Sequence, residues 1–122
     1  MNLSARVLLA IGAVNGALVV ALGAYGAHAL KDQAAALMQT AVQYHMLHAL
    51  GLLALGIAAA LKPGSTLLLW AAAVMLLGIV LFCGTIYVHA LTGYRGLSPI
   101  TPFGGTTFIV AWLLFAVGAL RD

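Results

Sequence analysis

The predicted fold is all-α, a membrane-spanning four-helix bundle with short loops, and three features of the 122 residues predict it. Hydrophobic residues make up 65% of the chain and charged ones 6%, where a soluble domain carries about 25% charged residues. Too little polar surface exists to cover a soluble particle, which excludes a cytosolic enzyme. The same numbers exclude disorder, which needs low hydrophobicity and high charge. The charges cluster at Arg6, Lys31–Asp32, Lys62, Arg95 and Arg121–Asp122. The charge-free stretches between them, 7–30, 33–61, 63–94 and 96–120, each supply the roughly 20 apolar residues that a spanning helix needs.

The spans are predicted at about 7–28, 41–61, 66–91 and 102–120, within a single membrane domain covering 1–122. Continuous apolar runs, without the alternation of barrel strands, favour helices. Ala27-His28-Ala29 has the small-x-small form of a cleavage site, but the apolar run before it exceeds the roughly 7–15 residues of a signal sequence, so the first span is expected to be retained. The 31–43 segment, with Gln39, Thr40 and Gln43 among apolar residues, reads as an interfacial amphipathic turn or two leading into the second span, with Asp32 as its N-cap. Lys62-Pro63-Gly64-Ser65 reads as a tight turn with Ser65 as the next N-cap. Thr92 to Pro99 is the longest polar connection, and Thr101-Pro102 suits an N-cap followed by proline in the first helical position. Arg6, Lys62 and Arg121 fall on one side and Lys31 and Arg95 on the other, a one-residue excess that places both termini on the cytoplasmic side.

Lipid is as apolar as leucine, so spanning helices associate through close packing and a few polar contacts. At 100° per residue Gly12, Gly16, Gly23 and Gly26 share one face of the first helix, with Ala13 and Ala17 widening the groove and Asn15 at its edge. This face serves packing inside the bundle or association with a second copy, and Asn15 should hydrogen-bond to a neighbouring helix. On the third helix Gly78, Phe82, Thr85, His89 and Thr92 form a stripe expected to face protein. Thr85 is also suited to bond its own i−4 carbonyl.

With alternating helix directions, His28 ends the first span, His45 and His48 begin the second, and His89 ends the third, so all four are predicted at one membrane face. Tyr25, Tyr44, Tyr87 and Tyr94 fall at the same level. Three readings stand: an interfacial belt, a hydrogen-bond network closing the bundle, or a ligand site, since imidazoles on facing helices hold metals and haem. No Cys-x-x-Cys, HExxH or acidic ligand accompanies the histidines, and the metal and cofactor stay unspecified. Cys83, well inside the third span, reads as a small apolar filler. Two acidic residues supply neither paired carboxylates nor a Ser-His-Asp set, and Gly104-Gly105 lacks the lysine of a phosphate-binding loop. The segment from Ser98 to Thr107 reads as a loop and proline-initiated helix start, or as an irregular stretch offering free N–H groups to a ligand.

Gly23-Ala24-Tyr25-Gly26-Ala27-His28-Ala29-Leu30, Gln43-Tyr44-His45-Met46-Leu47-His48-Ala49, Phe82-Cys83-Gly84-Thr85-Ile86-Tyr87 and Ile100-Thr101-Pro102-Phe103-Gly104-Gly105 resemble, in order, signatures of the YgdD-like small integral membrane proteins. That family is a domain-of-unknown-function group of bacterial inner membranes with mitochondrial-type relatives in animals. The resemblance implies four spans and an inner-membrane location and carries no activity.

The expected role is therefore non-enzymatic, an accessory or assembly subunit of a larger inner-membrane complex. The alternative is a binding protein for a metal, haem or quinone-like lipid at the histidine-bearing face. Candidate ligand-binding residues are His28, His45, His48, Thr85, His89, Thr101, Gly104 and Gly105. The expected partners are the lipid bilayer and a second membrane protein or a second copy. A net charge of +3 from five basic residues is too small for a nucleic-acid surface.

Overall fold

The computed structural model describes residues 1–121. Four long helices follow one another: α1 (Leu3–Ala29), α2 (Asp32–Leu61), α3 (Thr66–Thr92) and α4 (Thr101–Leu120), the last entered through a 3-10 turn at Ser98–Ile100. Each is long and apolar enough to cross a bilayer. α1 begins about one turn earlier along the chain than its apolar run implied, because the Asn2 side chain accepts a hydrogen bond from the Ala5 N–H at 2.9 Å and caps it. The Lys62–Ser65 turn has the expected form: Gly64 sits at φ 88°, and the Ser65 hydroxyl accepts from the Leu68 N–H at 3.4 Å.

Two predicted caps are corrected. Asp32 is the first residue of α2, at φ 55°, and Lys31 holds the cap position without a side-chain bond. Aspartate is among the few residues that tolerate this left-handed backbone. Thr101 is likewise already helical and Ile100 holds the cap position. The Thr101 hydroxyl instead bonds across to Thr85.

From Asp32 onward the 31–43 segment is helical and continuous with the second span. At about 1.5 Å per residue, the 30 residues of α2 reach about 45 Å, half as long again as a hydrocarbon core of about 30 Å. The first turns of α2 therefore extend towards the headgroups.

α2, α3 and α4 share the core, in which Leu52, Leu55, Leu68, Met75, Ile79 and Phe108 interlock and Cys83 is buried as a filler. α1 packs chiefly on α2, α4 chiefly on α3, and α2 and α3 pack on each other. The α1–α2 contact is antiparallel and reciprocal. A Cβ at Gly12 would lie 2.9 Å from the Leu53 side chain, and one at Gly56 would lie 2.8 Å from Leu9. Each glycine thus receives the leucine of the opposite helix, the close approach that lets apolar helices attract each other within lipid.

Gly26 packs on Met38 in the same groove, and Gly23 faces Val42. Gly16 does not belong to it: nothing lies within 4 Å of a Cβ placed there. Ala13 and Ala17 are exposed and lie on the opposite side of α1, because at 100° per residue they fall well away from the arc centred on Gly12, Asn15, Val19 and Gly26.

α3 carries a π-helical segment over Ile79–Gly84. Here α4 comes closest: a Cβ at Gly104 would lie 2.7 Å from both the Leu81 carbonyl carbon and the Phe82 Cα. Threonine hydroxyls re-satisfy backbone groups released by such irregular turns inside a membrane. The Thr85 hydroxyl lies 2.8 Å from the Leu81 carbonyl and 3.0 Å from that of Phe82. At the far end of the bundle, Lys62 Nζ donates to the Gly118 and Ala119 carbonyls at 3.2 and 3.0 Å and to that of Arg121. A cation is favourable at a helix C-terminus.

Gly104→Ala is expected to destabilise the bundle by about 1–3 kcal/mol, the usual cost of overpacking, because backbone has to move. Gly16→Ala should leave stability unchanged or raise it slightly. Thermal unfolding of the two variants in detergent compares them directly.

Candidate functional site

Two of the four histidines, His45 and His48, are buried between the helices. Because α2 starts at Asp32, His45 and His48 lie about 20 and 24 Å along a helix of about 45 Å. Both are 3% exposed. Asn15 is likewise central in α1 and buried. These are polar side chains at hydrocarbon depth, where a group without a partner is costly.

The partners are all present, and they fix the protons. Asn15 Nδ2 donates to the Ile11 carbonyl at 2.9 Å, which orients the amide and turns Oδ1 towards His45. His45 Nε2 lies 2.8 Å from that oxygen, an acceptor only, so Nε2 carries the proton. His45 Nδ1 is then a lone pair, and it accepts from the Tyr87 hydroxyl at 2.7 Å. The resulting chain runs one way, Tyr87 to His45 to Asn15 to Ile11, and ties α3 to α2 to α1.

His48 takes the opposite tautomer. Its Nδ1 lies 2.6 Å from the Tyr44 carbonyl and must donate to it, while its Nε2 accepts from the Trp112 indole N–H at 3.0 Å. Phe108 stacks on the His48 ring, with centroids 3.4 Å apart and planes at 13°. His48 thereby joins α2 to α4. Both imidazoles are neutral in this arrangement, and both lone pairs already accept a hydrogen bond. A metal would have to displace the proton donor Tyr87 or Trp112. Among the described residues no three His, Cys, Asp or Glu side chains come together as a metal-binding group.

His28 and His89 do lie near the helix ends facing the Lys31 and Arg95 side, but neither joins the central pair. His28 is exposed at the end of α1. His89 is half-buried and lines a separate groove with Thr85, Thr101 and Ser98. Thr85 and Thr101 are brought together, their hydroxyls 2.7 Å apart. Gly104 is spent on the backbone contact with α3, and a Cβ at Gly105 would only touch the Phe82 ring at 3.8 Å.

Thr92 departs from the predicted stripe. It is exposed, donates to the Val88 carbonyl at 2.6 Å and accepts from the Tyr94 N–H at 3.1 Å. The Ser98–Ile100 turn uses its own N–H groups, Ser98 to Arg95 and Ile100 to Leu97, and the Thr101 N–H bonds to the Ser98 carbonyl. Prolines 99 and 102 have no N–H to offer.

Of the partners, Tyr87 falls at the histidine level in the sequence, and its hydroxyl turns inward to His45, as a hydrogen-bond network requires. Trp112 is the partner that the sequence reading misses: a tryptophan in mid-span, four residues after Phe108, sits far from the headgroup belt where the residue is usually found. That position signals an indole N–H in search of an acceptor.

The fold and the buried polar chains define a small four-helix integral membrane protein. The chain belongs to the family described as "Protein of unknown function (DUF423)", whose model matches residues 22–105. It is 40% identical over 120 residues to "UPF0382 membrane protein YwdK" of Bacillus subtilis, covering 95% of this chain and 98% of the relative. It is 38% identical over 122 residues to a "UPF0382 membrane protein" of Staphylococcus epidermidis, covering 95% and 97%. To "UPF0382 inner membrane protein YgdD" of Escherichia coli K12 it is 37% identical over 123 residues, covering 98% and 93%. No solved structure matches it.

His45→Leu leaves the Asn15 carbonyl oxygen and the Tyr87 hydroxyl unpaired, and is expected to cost about 1–3 kcal/mol. Adding Asn15→Leu should recover part of the loss, because both partners of one bond are then removed. His28→Leu should stay within about 0.5 kcal/mol of the parent. Reversible unfolding in mixed micelles, analysed as a double-mutant cycle, measures all three.

Proposed function

We propose that the protein is a non-enzymatic interaction subunit of a bacterial inner-membrane complex, docking a partner helix on the outward face of α1, with both termini on the cytoplasmic side. The observation that carries this reading is the division of α1 into two faces. Its inner face, with Gly12, Asn15, Val19 and Gly26, is buried against the bundle. Its outer face presents Ala10, Ala13, Ala17, Ala21 and Ala24, all exposed and within one arc of about 80° at 100° per residue.

Small residues in a row allow another helix to approach closely within lipid, where no hydrophobic force brings helices together. The inward-facing histidines support the same reading, since their hydrogen-bonding capacity is spent on Asn15, Tyr87, Tyr44 and Trp112. The connections between helices are short, which leaves the lateral surface as the main area for contact. The printed name of the Escherichia coli relative supports the inner-membrane location. The orientation rests on Arg6, Lys62 and Arg121 outnumbering Lys31 and Arg95.

Native mass spectrometry of the protein released gently from its own membrane should show a defined complex with a second polypeptide. Ala17→Leu combined with Ala21→Leu should dissociate it while the helical content and unfolding temperature stay those of the parent. A bare monomer under every gentle condition, or a complex indifferent to the two leucines, contradicts the proposal.

A further inference from the structure

A groove of about 450 Å³ opens between the first turns of α2, the last turns of α3 and the 3-10 turn before α4. Leu37, Phe82 and Ile86 form its apolar walls, and His89, Ser98 and Thr101 contribute polar groups. This volume lies within the range of small-molecule sites, roughly 300–1,000 Å³, and the mix of apolar walls with a few polar groups is the usual composition of such sites. From Thr92, where α3 ends, His89 lies about 4–5 Å and Thr85 about 10 Å along the helix. The groove therefore begins near the headgroups and runs into the hydrocarbon.

Its chemistry selects the ligand. No Lys, Arg, Asp or Glu is among the lining residues, so a charged headgroup would leave water without a counter-charge. The turn at its mouth has spent its N–H groups internally, so no backbone cradle for an anion is left there. The remaining groups suit neutral oxygens. The His89 ring makes no hydrogen bond to another described residue, and neither does the Ser98 hydroxyl. The Thr85–Thr101 pair, with Thr85 able to donate to a carbonyl of its own helix, retains lone pairs that can accept a ligand hydroxyl.

We propose that this groove binds a neutral amphiphile, one with uncharged carbonyl or hydroxyl oxygens on an apolar tail. The oxygens meet His89, Ser98 and Thr101, and the tail runs along Leu37 and Ile86 into the bilayer. An isoprenoid quinone and a diacylglycerol both carry this chemistry. The site is independent of the outward face of α1 and stands or falls separately from the docking role.

The test is a binding titration of the full chain in phosphatidylcholine nanodiscs, with a short-tailed quinone, dioctanoylglycerol and phosphatidic acid as separate probes. One of the two neutral probes is expected to saturate at one per chain. His89→Leu and Ser98→Ala should each weaken it at least fivefold, His89→Gln should restore part of the affinity, and His28→Leu should have no effect. Which neutral probe binds identifies the source of the ligand. Circular dichroism confirms that each variant is folded, and Ser98→Ala, at an exposed loop position, remains informative if a His89 variant does not fold. Uptake of both neutral probes no greater than in empty nanodiscs, affinity unchanged by His89→Leu and Ser98→Ala, or preference for phosphatidic acid overturns the proposal.

Discussion

His45 lies where water cannot reach it, and its two ring nitrogens need two partners from the protein itself. Asn15 of α1 meets one and Tyr87 of α3 meets the other, so a single side chain of α2 fixes the rotation of three helices about their own axes. His48, one turn later, does the same for α4 through Trp112. Within lipid, apolar faces do not select one another, because lipid is an equally good neighbour. The polar contacts supply that selection, since any other rotation would leave a donor or acceptor unpaired in hydrocarbon. The helix axes, the tautomers and the depth of the aromatic cluster all follow from this requirement.

Close packing completes what the polar chains begin. Gly12 and Gly56 admit Leu53 and Leu9, and Gly104 admits the backbone of α3 at its π-helical turn. These contacts bring the helices near enough for the interhelical hydrogen bonds to form at 2.7–3.0 Å. The π turn is also what sets Thr85 beside Thr101 at the base of the groove, with its hydroxyl over the Leu81 and Phe82 carbonyls. One irregularity in α3 thus serves the packing of α4 and lies beside the groove that His89 lines. The centre of the molecule is closed, with its polar side chains bonded to one another.

The four helices were legible because charge is excluded from hydrocarbon: Lys62, Arg95 and Lys31–Asp32 punctuate the apolar runs, and Ser65 and Gly64 mark the turn between α2 and α3. Asn15 was legible as a residue needing an interhelical partner. The partners of His45 and His48 were less legible, because they depend on where Asn15, Tyr87 and Trp112 sit on the neighbouring helices. Gly16 shares the face of Gly12 by periodicity but lies at its edge, beyond the reach of α2. The π turn at Ile79–Gly84 was illegible, since it leaves no mark in the continuous apolar run that forms it.

The central claim is that two neutral imidazoles of opposite tautomer hold the bundle together. Solid-state nitrogen NMR of the histidine-labelled protein in lipid bilayers reads each ring directly, with His45→Leu and His48→Leu assigning the signals. The account predicts His45 protonated at Nε2 alone and His48 at Nδ1 alone, both shielded from exchange with water at neutral pH. A doubly protonated ring at either position, the same tautomer at both, or rapid solvent exchange at these two sites would contradict it.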